Sequence, residues 1–139
     1  MKRLIALALL MGSAQLSAQT VESAEGDWSA VPRADAGSFA NIGAAAVSRI
    51  HDIVISGECT LPGQSKRRLN MSVPILLHYE PDGTLRKLVV RKIGCAEIEG
   101  LLGGAVLELV QAGKFKPTGA NADGWYRSEV NFSSRISPY

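Results

Sequence analysis

From Leu69 to Tyr79 the chain alternates strictly. Leu69, Met71, Val73, Ile75, Leu77 and Tyr79 fall on one side, and Asn70, Ser72, Pro74, Leu76 and His78 on the other. A period of two belongs to an extended strand with one buried face. The next residues, Glu80-Pro81-Asp82-Gly83-Thr84, form a turn signal in which proline fixes φ and glycine accepts a positive φ. Leu85 to Ile93 then reads as a second strand, interrupted in its alternation by the apolar run Leu88-Val89-Val90. A hairpin is therefore expected across residues 69–93. Pro74 lacks an amide donor, so it predicts either a bulge or an edge position for the first strand.

Helical spacing flanks this hairpin. Phe39, Ile42, Ala46, Val47, Ile50, Ile53 and Val54 recur at intervals of three and four, with Asp35 or Ser38 as the expected cap and Gly57 just past the end. After the hairpin, Ile98, Leu101, Leu102, Ala105, Val106, Leu109 and Val110 make an apolar stripe over 97–112, which Gly113 ends. Gly100, Gly103 and Gly104 weaken that helix by up to about 1 kcal/mol each, and close packing is the compensation they suggest. A last strand is read over 126–133, with Tyr126, Ser128, Val130 and Phe132 on one face. The expected fold class is α+β. A small three-stranded antiparallel sheet in strand-strand-helix-strand order packs with a helix, and an additional helix precedes it.

The first residues carry a different signal. Lys2 and Arg3 precede a short apolar run, Leu4 to Met11, and small residues follow. This is the pattern of a secretory signal, with cleavage expected after Leu16-Ser17-Ala18 or after Gly12-Ser13-Ala14. The alternative, an uncleaved anchor, would need about 20 apolar residues. Residues 1–18 are read as signal peptide, 19–33 as a flexible mature N-terminus, and 34–139 as one domain. The formal charge of +2 then belongs to the precursor, since Lys2 and Arg3 leave with the signal. What remains is neutral but polarised: residues 19–58 carry six acids and two bases, and residues 59–139 carry seven acids and eleven bases. A composition 46% hydrophobic and 20% charged excludes wholesale disorder.

Export bears on Cys59 and Cys95. Two cysteines in an oxidising compartment usually pair, and a structural disulfide is expected, against two buried thiols or half a metal site. No metal-ligand spacing relates them to His51 or His78. No nucleophile elbow, paired-histidine zinc motif or phosphate loop occurs. Asp82 and Asp123 precede glycines in turns, and Ser133-Ser134 has no recognisable base partner in the sequence. The expectation is a non-enzyme without cofactor or metal.

Two surfaces remain. Arg86, Lys87, Arg91 and Lys92, with Lys66, Arg67, Arg68, Lys114 and Lys116, give the sheet domain a basic character. They are either a solvated face or a patch for an acidic partner. Nucleic acid is not expected, because interleaved aromatics are lacking. The final strand is the second surface. An exposed edge is a template for adding an extended peptide, and Tyr126, Arg127, Ser128, Glu129, Val130, Asn131 and Phe132 are the candidate residues.

In order along the chain, the turn Glu80-Pro81-Asp82-Gly83, the strand Leu88-Val89-Val90, the helix Ala105–Val110, the Phe115-Lys116-Pro117 element, the Gly124 turn and the closing Val130-Asn131-Phe132 strand resemble the C-terminal domain of TonB-type energy transducers. The resemblance implies a periplasmic α+β domain that recruits an extended segment of an outer-membrane receptor, or of another envelope protein, as an added strand. The transducers' membrane anchor and long proline-rich spacer are not read here, and no membrane insertion is expected after signal cleavage. A binding module linked to outer-membrane transport is therefore the leading expectation. An exported structural or inhibitor-like domain using the basic face is the alternative, and a homodimer is left open.

Overall fold

A computed structural model describes residues 20–34, 40–65, 67–118 and 123–135. The signal segment, the caps expected at Asp35 or Ser38, and Lys66 lie outside these residues. Among the described residues seven elements follow one another: β1 (Thr20–Ala24), β2 (Ala40–Asn41), α1 (Ala44–Ser56), β3 (Arg68–Tyr79), β4 (Leu85–Arg91), α2 (Ala96–Gln111) and β5 (Trp125–Arg135). The fold is α+β. The sheet runs β1-β4-β3-β5-β2.

The three strands read from sequence form the antiparallel core of the sheet, in the order β4-β3-β5. The correction concerns its flanks. β1 pairs parallel to β4 and β2 parallel to β5, so the sheet is mixed rather than three-stranded and antiparallel. Residues 20–24, read from sequence as flexible, are an edge strand. Ala40–Ile42 do not belong to the first helix either. That helix begins at Ala44 behind Gly43, because the preceding residues are drawn out along β5. A non-local ladder has here overridden a local period of 3.6.

The alternation of β3 dictates what is buried. Leu69, Val73, Ile75 and Leu77 are fully enclosed, and β4 adds Leu88 and Val90 to the same face. α1 contributes Ile50, Ile53 and Val54, and α2 contributes Ile98, Leu102, Ala105 and Val106. Both helices thus cover one face. Gly57 ends α1 in the left-handed conformation (φ 80°), as its sequence position anticipated. Gly103 seats α2 on β1: a Cβ there would lie 2.5 Å from Cγ1 of Val21.

Pro74 is accommodated by unequal strand lengths. β3 pairs with β5 from Arg68 to His78, but with β4 only from Ile75 to Tyr79. Pro74 lies one residue beyond the last β4 pair, so its missing donor breaks no ladder bond. The first half of β3 is an edge and the second half is central. Its exposed half is closed locally. Ser65 exchanges backbone hydrogen bonds with Arg68, and the Asn70 N–H donates to Gln64 Oε1 at 2.8 Å.

Candidate functional site

Residues 25–34 cross the sheet on the face away from the helices. At one end the Lys92 N–H donates to Ala24 O at 3.0 Å. At the other end Arg127 donates to Pro32 O at 2.8 Å and accepts from Ala34 N–H at 2.9 Å. Between them, the Arg91 guanidinium sits 4.7 Å from the Trp28 ring centroid and donates to Gly26 O. Arg127 Nε also donates to Val31 O at 2.7 Å. This crossing accounts for Val89, which points away from the helices yet is buried. It makes residues 20–34 a strap that closes the β4 edge with β1 and then reaches the far side of β5.

β5, read from sequence as an exposed edge, is not the outermost strand, because β2 and Arg33 pair along its outer side. Tyr126, Ser128, Val130 and Phe132 face the core and are buried. Arg127, Glu129 and Asn131 alternate to the open face. Because Arg127 turns both its N–H and its C=O away from β3, the same holds at Glu129 and Asn131, two residues apart in a regular strand. Among the described residues, ladder partners on this outer side occur only at Arg127 and at Val130–Asn131. Ser72 Oγ donates to Glu129 Oε2 at 2.9 Å on the open face.

The basic residues do not gather into one surface. Arg86 pairs with Glu80, which holds its guanidinium above the usual range. Lys87 pairs with Glu22 at 3.0 Å, and Arg91 lies under Trp28. Arg86 and Arg91 are five strand positions apart, about 17 Å. Lys92 is exposed just past the strand.

Cys59 and Cys95 form a disulfide, with Cα atoms 5.8 Å apart. It links the segment after α1 to the residue that caps α2, beside an Arg49–Glu97 ion pair at 2.7 Å. Among the described residues no group of three or more His, Cys, Asp or Glu could hold a metal, and no helix is long and apolar enough to cross a membrane.

Three arrangements were not read from sequence. Ser134 Oγ lies 2.8 Å from Nδ1 of the buried His51, which ties β5 to α1. Glu99, buried, accepts the N–H groups of Ile93 and Cys95, each at 3.1 Å. No sequence signal separates it from Glu97, the exposed acid on the other side of Ile98. Tyr79 Oη donates to Phe115 O across a long sequence gap, and burial pushes its phenol up to about 12. Asp27 and Asp82 are held below the usual carboxylate range by the N–H groups of Ser29 and Thr84. These are turn bonds, as expected for Asp82.

Comparison with protein-family models, curated proteins and solved structures finds no match to this chain.

Proposed function

We propose that the chain is an exported, periplasmic binding module resembling the TonB C-terminal domain, which takes an extended segment of an outer-membrane receptor or another envelope protein by strand addition. The observation that carries this reading is on β5: its outer side already holds extended backbone, at Arg127 and at Val130–Asn131. The pairing is confined to those positions, and the backbone there takes main-chain hydrogen bonds in a fixed register, the basis of strand addition. The antiparallel unit β3-β4-α2-β5, with its first strand in the middle, supports the resemblance. The disulfide is compatible with export.

The test is an amide titration of the mature protein with peptides from the periplasm-facing extensions of outer-membrane receptors. The expected result is perturbation confined to residues 125–135 and their neighbours on the strap. Saturating peptide without perturbation there overturns the reading. Binding of an acidic partner through the basic face draws less support, since Arg86, Lys87 and Arg91 are already engaged.

A further inference from the structure

The end of the strap and β2 meet β5 in one register. Arg33 stands opposite Arg127, and Asn41 stands opposite Asn131, both in parallel. Ala34 and Ile42 are therefore opposite Ser128 and Phe132 on the core side, and both are buried, at 2% and 5% exposure. Between Ser128 and Val130 β5 has a single residue, Glu129, whereas the chain places residues 35–39 between Ala34 and Ala40. A continuous strand could fill the same positions with one residue opposite Glu129. Thr118 Oγ1 adds a clasp, donating to Arg33 O at 2.7 Å.

We propose that Pro32–Ala34 and Ala40–Ile42 are a built-in occupant of the β5 edge, which an extended partner displaces while running parallel to β5. This rests on the strand-addition reading and adds the partner's class. Its segment carries a small apolar residue opposite Ser128 and a branched aliphatic residue opposite Phe132, four positions later. The residues opposite Arg127, Glu129 and Asn131 turn their side chains to the open face, so polar side chains suit them. Two properties set the competition. The occupant is tethered, which gives it an effective concentration that a free peptide lacks. Its two pieces are five residues apart in sequence where β5 has the one residue Glu129, whereas a partner can match β5 residue for residue.

The probe is a synthetic peptide that joins residues 31–34 to residues 40–42 through one threonine, with a scrambled peptide as control. The hosts are the full mature chain and two variants that loosen the occupant. Ala34→Pro removes the N–H that donates to Arg127 O. Ile42→Ala empties the pocket by Phe132 while keeping the backbone. The joined peptide is expected to bind at least one variant about tenfold or more tighter than it binds the natural chain, a difference of about 1.4 kcal/mol. It is also expected to slow amide exchange at Arg127, Glu129 and Asn131, and the scrambled peptide to do neither. Equal binding of both peptides, or no binding to either folded variant, overturns the proposal. If receptor peptides bind residues 125–135 while the joined peptide fails, only the built-in occupant is lost. If the joined peptide binds while receptor peptides fail, the receptor assignment is lost and the occupied edge stands.

Discussion

Glu99 shows how one side chain can settle a junction. Its buried carboxylate collects two backbone donors where β4 hands over to α2. Glu99→Ala would leave both N–H groups without that acceptor, at a cost of about 3 kcal/mol in urea unfolding. Glu99→Gln keeps an acceptor oxygen and should lose less. Tyr79 makes a different prediction, one of pH. Its folded phenol titrates at about 12, above the ordinary 10, so the fold favours the protonated ring. The stabilisation is complete below the unfolded value and is lost as pH rises from 10 towards 12. Tyr79→Phe should unfold more easily at neutral pH by about 1 kcal/mol, since Phe115 O loses its donor. The gap should narrow in alkali, as unfolding curves at the two ends of that range would show. The turn roles of Asp82, Gly57 and Gly113 were legible because their partners are sequence neighbours. Those of Tyr79 and Ser134 were not, because Phe115 and His51 are brought to them only by the fold.

At the scale of elements, β3, β4, α2 and β5 could be read to within two residues because each carries its own period. The first helix and β1 could not. Ala40–Ile42 fit a helical face, but their backbone finds partners on β5. Thr20–Ala24 has too short a pattern to announce a strand, and β4 imposes one. The glycines of α2 fit the close packing their sequence suggested at one position, Gly103, while nothing lies within 4 Å of a Cβ at Gly100 or Gly104. Gly103→Ala is therefore expected to push on Val21 and loosen β1, at a cost of about 1–3 kcal/mol. Gly100→Ala should instead be neutral or stabilising, since α2 gains helix propensity without a clash. Amide exchange resolves the two. Gly103→Ala should speed exchange in β1 and at Lys92 and leave the β3·β5 ladder as it was.

Across the whole molecule, two devices act on opposite faces. The disulfide ties α1 to α2 over the helical face, closing a loop of 36 residues. Such a loop is worth about 3–4 kcal/mol to the folded state. Replacing both cysteines with serine should reduce stability by that order, and the intact mass should rise by two hydrogens on reduction. Equal masses before and after reductant would remove the bridge. The strap acts on the other face, tying β4 to β5 through Trp28, Pro32 and Ala34. The proposed function bears on this second device, since the strap takes up the outer side of β5 at Arg127, where a partner segment would have to pair. Native-state hydrogen exchange tests it most directly, through the amides of Lys92 and Arg127, which donate to opposite ends of the strap. Both should be protected well above the rate of an unstructured peptide, and Ala34→Pro should lower protection at Arg127. Exchange at both amides in the natural chain as fast as in an unstructured peptide would contradict it.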